Sequence, residues 1–164
     1  TQQQVSYKGI HVTHITSAEA MYNHTVALFN NADISVMSAA VADYSPLTPA
    51  SEKIKKSGDS LTLELVKTKD ILRSLGEIKK NGQLLVGFAL ETNNEREYAV
   101  KKMESKHADM IVLNSLRDKN AGFGHDTNKV TVFDKEGNEF PMELATKQDI
   151  ATDIVNIIIQ KLNA

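Results

Sequence analysis

Apolar and polar positions repeat at two periods along the chain, and the switches between them mark its elements. Ile10-His-Val-Thr-His-Ile15 alternates with period two, which predicts a short half-buried strand. Thr16 and Glu19 have capping-box spacing, and Tyr22, Val26 and Phe29 recur at helical spacing, so a helix is expected to about Asn30. Ile34–Met37 predicts the next strand. Between Tyr44 and Ser57, Pro46, Pro49 and the lack of apolar periodicity predict a loop or flap without regular structure. Leu61–Val66 alternates as a strand, and Ile71, Leu72, Leu75 and Ile78 form the stripe of a helix that Gly82 ends.

Leu84–Leu90 is an almost continuous apolar run, the pattern of a strand buried on both faces of a parallel sheet. The charged segment from Glu95 to His107 predicts a surface helix with Tyr98, Ala99 and Met103 facing in. Met110–Leu113 repeats the buried-strand pattern and ends at Asn114, followed by a polar loop from Ser115 to Asn128. Val130–Phe133 and Glu139–Leu144 flank Asp134-Lys-Glu-Gly-Asn138 as a hairpin. Ile150, Ile154, Ile157 and Ile158 give Thr146–Leu162 the stripe of an amphipathic helix. Strands alternating with helices predict one α/β domain over residues 1–164: a mainly parallel Rossmann-like sheet flanked by helices, with an antiparallel hairpin near the C-terminus.

Composition narrows the function. The 164 residues suffice for a hydrophobic core, and a formal net charge of -2 argues against a polybasic nucleic-acid binder, so any basic patch is local. Without cysteine there is no disulfide, thiol nucleophile or thiolate metal site, which fits a cytoplasmic setting. No apolar run approaches the roughly 18–20 residues of a membrane span. The five histidines have no metal-ligand spacing, so no protein metal site is expected, and the P-loop, dinucleotide and hydrolase-elbow motifs are missing.

The remaining chemistry gathers at strand ends, where open α/β sheets bind ligands. Ser38–Asp43 follows one strand, Glu91-Thr-Asn-Asn94 another, and Asn114 a third. The small side chains of Ala39 and Ala40 either let backbone N–H groups approach an anion or simply allow tight packing. Asp43 suits orienting a hydroxyl or amide, holding a hydrated Mg2+, or capping a turn. Lys53, Lys55 and Lys56 fit a clamp over a triphosphate or a solvated surface, and Lys101, Lys102 and Lys106 pose the same choice.

Ser38-Ala-Ala-Val-Ala-Asp-Tyr44, Glu52-Lys-Ile-Lys-Lys56, Lys69-Asp-Ile-Leu72, Val86-Gly-Phe-Ala-Leu-Glu-Thr-Asn-Asn94 and Gly122-Phe-Gly-His-Asp-Thr-Asn128, in this order, resemble phosphopantothenate-cysteine ligase. The resemblance implies CTP-dependent joining of cysteine to 4'-phosphopantothenate in coenzyme A biosynthesis, through an acyl-cytidylate, with Mg2+ accompanying the nucleotide. It implies that Met37, Ser38 and Ala39 line the nucleotide site and that the Ala39 and Ala40 amides meet the acyl phosphate. Asp43 would contact ligand, and Lys53 would stabilise phosphate charge. Lys69, Asp70, Ile71, Leu72, Phe88, Lys102 and Lys106 would complete the pocket, with Asn114 a looser member. It further implies a homodimer with the flap at a shared site, and in many bacteria fusion to an FMN-dependent decarboxylase. The family also has an upstream Gly-rich strand–loop–helix unit with an activating Asn; the chain has no such unit and reads as the C-terminal part. The alternatives are a non-catalytic nucleotide-binding or dimerisation module and, disfavoured by the missing fingerprint, an NAD-type oxidoreductase fragment.

Overall fold

Three parallel strands and the helices that return between them carry the computed structural model, which describes residues 7–55, 58–91, 93–115 and 124–163. Helix α1 (Ala18–Phe29) starts where the Ser17 hydroxyl accepts the Ala20 N–H at 3.1 Å. The cap is thus Ser17 rather than Thr16. Strand β1 (Ile34–Met37) leads to the polar strand end, followed by β2 (Tyr44–Pro46) and β3 (Leu65–Lys67), paired antiparallel. Helix α2 (Ile71–Ile78) returns to β4 (Leu84–Glu91), and α3 (Glu95–Ser105) to β5 (Met110–Ser115). Short β6 (Thr127–Asn128), the hairpin β7 (Val130–Asp134) and β8 (Glu139–Pro141), β9 (Ala145–Thr146) and α4 (Lys147–Leu162) complete the order.

The main sheet has the order β1-β4-β5-β7-β8. Its first three strands are parallel, and β7 and β8 extend it antiparallel. Period-two alternation splits the core between the faces. Leu85, Ala89, Ile111 and Leu113 point to the side covered by Phe29, Leu75, Ala99 and Met103 of α1, α2 and α3. Val86, Met110, Val112, Val130 and Val132 point to the other, covered by Ile150, Ile154 and Ile158 of α4. Burial on both faces is why β4 and β5 read as continuous apolar runs.

Several expectations need correction. Residues 10–15 form no strand: their alternation finds no partner among the described strands, and Ile10 and Val12 lie exposed. The segment from Tyr44 is not wholly irregular, because Pro46 ends an edge strand, where a missing N–H is tolerated, and Leu47 N–H still donates to the Glu64 carbonyl at 2.9 Å. Of the strand expected at 61–66 only Leu65 and Val66 are in strand, which runs on to Lys67. Helix α2 stops before an extended Lys79, and Gly82 (φ +88°) serves the turn after it instead. Tyr98 is exposed while Ala99 and Met103 are buried, and the second hairpin strand ends at Pro141.

At the amino ends of the parallel strands, Asp109 joins three elements. Its carboxylate accepts the Leu85 N–H at 2.8 Å, Lys79 Nζ at 2.7 Å and Lys135 Nζ at 2.8 Å. Burial alone would raise its pKa; the Lys135, Lys79 and Leu85 hydrogen bonds outweigh that and hold it below the ordinary carboxylate value.

Candidate functional site

Residues 38–43 belong to no helix or strand, so β1 delivers an irregular, alanine-rich segment to the carboxyl ends of the parallel strands. The antiparallel ribbon of β2 and β3 brings residues 67–70 alongside it. Thr68 Oγ1 donates to the Ala42 carbonyl at 2.6 Å, and Thr68 N–H donates to the Asp43 carbonyl at 2.9 Å. Asp70 then opens α2 by accepting the Arg73 N–H at 3.0 Å. Between these segments lies a cleft of about 280 Å³, to which Met37, Ala39, Val41, Ala42, Asp43, Lys67, Thr68, Lys69, Asp70, Ile71, Leu72, Phe88, Lys102 and Lys106 contribute.

Helix α3 supplies the far wall. Side chains on a helix lean toward its N-terminus, so Lys102 and Lys106 reach back from the end of α3 toward the strand ends. Lys106 pairs with Asp70. Burial opposes ionisation of Asp70, but Lys106 and the Arg73 N–H more than compensate and its pKa falls below the ordinary value. Two glycines permit the close approach of these elements. A Cβ on Gly76 of α2 would lie 1.9 Å from the Lys106 carbonyl oxygen, and one on Gly87 would lie 2.5 Å from Leu72 Cδ2. On the opposite side Lys69 Nζ sits 4.5 Å from the centre of the Tyr22 ring, a cation–π contact that fixes its direction.

Four lysines face the cleft against two aspartates, in a chain whose net charge is -2. With Asp70 already committed to Lys106, the cleft is a local cationic site suited to a polyanion. A larger cavity of about 440 Å³ lies at the other end of the strands, between α3 and the hairpin. Its three cations, Lys79 and Lys135 on Asp109 and Arg96 on Glu139, stand among four carboxylates, so the smaller cleft is the better candidate for an anion.

Of the residues singled out in the sequence, Met37, Ala39, Asp43, Lys69, Asp70, Ile71, Leu72, Phe88, Lys102 and Lys106 come together in the cleft. Ser38, Ala40 and Lys53 do not line it, and Lys53 and Lys55 are exposed on the segment between β2 and β3. Lys56, Thr92 and Gly122-Phe123 fall outside the described residues. Lys101 is paired with Glu97 at 2.6 Å on the outer face of α3. Asn114 accepts a hydrogen bond from Asn128 Nδ2 at 2.7 Å at the end of β5 and is not part of the cleft wall. Sequence reasoning passed over Lys67 and Thr68, although Lys67-Thr-Lys-Asp70 shows two lysines flanking a hydroxyl just before a helix start. No cluster of three or more His, Cys, Asp or Glu that could hold a metal occurs among the described residues.

Fold and cleft together define a Rossmann-like α/β domain with an open cleft at the carboxyl ends of its parallel strands. The chain belongs to the family described as DNA/pantothenate metabolism flavoprotein C-terminal domain, which it matches over residues 1–162. It is 46% identical over 154 residues to a cysteine/cysteine sulfinic acid decarboxylase from an unknown prokaryotic organism, covering 94% of this chain and 43% of that protein. It is 42% identical over 144 residues to the coenzyme A biosynthesis bifunctional protein CoaBC of Bacillus subtilis (strain 168), covering 88% of this chain and 35% of that protein. The chain thus spans less than half the length of these curated relatives. The crystal structure of the C-terminal domain of a CoaBC superposes with a TM-score of 0.72 at 39% identity, over 91% of this chain and 66% of that one.

Proposed function

We propose that this chain is the ligase part of a coenzyme A biosynthesis protein, joining cysteine to 4'-phosphopantothenate at the expense of CTP. The observation that carries this reading is the cationic cleft at the strand ends, in a chain belonging to the family of the CoaBC C-terminal domain. In the proposed reaction a phosphopantothenate carboxylate oxygen attacks the α-phosphorus of CTP and pyrophosphate leaves. The cysteine amine then attacks the acyl carbon of the acyl-cytidylate, and CMP departs as the amide forms.

Met37, Ser38 and Ala39 would place the nucleotide, with the Ala39 and Ala40 amides meeting the acyl phosphate. Lys69, Asp70, Ile71, Leu72, Phe88, Lys102 and Lys106 would complete its pocket, and Lys53 would close over the phosphates from the segment between β2 and β3. The donor set does not fit a resident metal: Asp70 is committed to Lys106, leaving Asp43 as the cleft's other carboxylate. Mg2+ held largely by substrate phosphates needs no more than one or two protein carboxylates, so it would enter with CTP, with Asp43 nearby. A homodimer would bring the lysine-bearing flap to a shared site; Leu47, Ile54, Leu61 and Leu63 lie exposed along it.

Isotopic pyrophosphate exchange into CTP, measured with the full-length protein, tests the reading. Exchange that requires 4'-phosphopantothenate supports it, and CTP binding without exchange contradicts it. Lys53→Gln should reduce exchange far more than CTP affinity, whereas equal losses would remove Lys53 from the phosphate clamp. A second reading, a nucleotide-binding or dimerisation module without ligase activity, is favoured by one finding: a protein named a decarboxylase carries a segment 46% identical to this chain.

A further inference from the structure

We infer that Thr68 is a positioning residue that sets the backbone of residues 39–43 against the lysines of the cleft. The inference rests on the nucleotide-site reading above and deepens it. Residues 38–43 lie in no strand, and the β2–β3 register reaches their peptide planes only at Asp43, opposite Thr68. Thr68 fixes two of them: its hydroxyl donates to the Ala42 carbonyl at 2.6 Å, and its N–H donates to the Asp43 carbonyl at 2.9 Å. Because C=O and N–H of a trans peptide point oppositely, holding the Ala42 carbonyl on Thr68 turns the Asp43 N–H away from Thr68.

Thr68 lines the cleft but is poorly placed to act on a ligand itself. A hydroxyl has one proton, and this one is committed to Ala42, so none remains for a phosphate oxygen. Its influence passes through the residues it holds. The same residue joins Lys67, at the end of β3, to Lys69, which rests on Tyr22, and so links the cationic strip to the alanine-rich segment. A β-branched side chain has restricted χ1, which makes threonine a stiffer link than serine would be. Placing backbone donors where charge develops requires this kind of fixed spacing, and a displacement near 1 Å can cost up to about 100-fold in rate.

The test compares Thr68→Val, which keeps the shape and loses the proton, with Thr68→Ser, which keeps the proton. In the full-length protein Thr68→Val should lower kcat of phosphopantothenate-dependent exchange by at least ~10-fold, with the KM for CTP moving less than about threefold. Thr68→Ser should recover to within about threefold of the wild-type kcat, as a positioning role through one hydrogen bond requires. A Thr68→Val enzyme with wild-type kcat, or one changed in KM alone, overturns the inference, as does a Thr68→Ser enzyme as slow as Thr68→Val. Amide NMR spectra separate this outcome from failure of the ligase reading. If the wild type shows no exchange, the ligase reading fails, and the clamp stands only if Thr68→Val broadens or multiplies the amide signals of residues 39–43 while those of α4 stay fixed. Unchanged signals at residues 39–43 would overturn it.

Discussion

Lys106 couples the site's charge to its geometry, because the ammonium that helps make the cleft cationic also restrains Asp70 at the start of α2. Lys106→Met should weaken CTP binding about tenfold, the worth of one charge-assisted contact, while the Asp70 cap on Arg73 survives. Titration calorimetry at two salt concentrations checks this: the affinity gap between wild type and variant should narrow as salt rises, whereas a salt-independent gap would indicate lost packing instead. Asp109 acts through structure alone. At 3% exposure, its carboxylate holds the start of β4, the end of α2 and the start of the hairpin turn. Asp109→Asn should cost about 3 kcal/mol in urea unfolding, with CTP affinity little changed, since the cleft lies at the other end of the strands.

Helix-to-helix spacing governs the site at the next scale. Gly76 lets α2 lie against the end of α3 with no room for a methyl group beside the Lys106 carbonyl. Gly76→Ala should separate the two helices, loosen the Asp70–Lys106 pair and lower both thermal stability and CTP affinity; loss of stability with unchanged affinity would show that the site tolerates the shift. Element identity was legible wherever two periodicities competed weakly. The stripe Ile71, Leu72, Leu75 and Ile78 marked α2, and the continuous runs of β4 and β5 marked strands covered on both faces. Residues 10–15 misled because alternation specifies one face of a strand and says nothing about a partner edge. Strand β2 was missed because long-range pairing with β3, rather than local propensity, makes Tyr44–Pro46 a strand. The site was legible in part for the same reason. Residues 38–43 announce themselves by charge and size and Met37 and residues 69–72 through the family resemblance, but Thr68 matters through a contact 26 residues away, which no local pattern records.

For the whole molecule, Asp70, Asp109 and Asp134 all titrate below the ordinary carboxylate value. In each case burial opposes the charge but lysines and N–H donors outweigh it. Groups with lowered folded pKa contribute stability that is fully present above their unfolded pKa, about 4, and is lost as pH falls through the folded values. Chemical unfolding should therefore show a plateau above about pH 5 and a decline below about pH 4, shallower in Asp109→Asn. The proposed ligand site lies at the carboxyl ends of β1 and β4 rather than in the larger cavity beside the hairpin. Titrating CTP with Mg2+ into isotopically labelled protein and following amide shifts tests this most directly. With the nucleotide in this cleft, the largest changes fall at Met37, Ala39, Asp43, Thr68, Leu72 and Phe88. Changes centred on Arg96, His107 and Asn138, with those six unmoved, would contradict this placement.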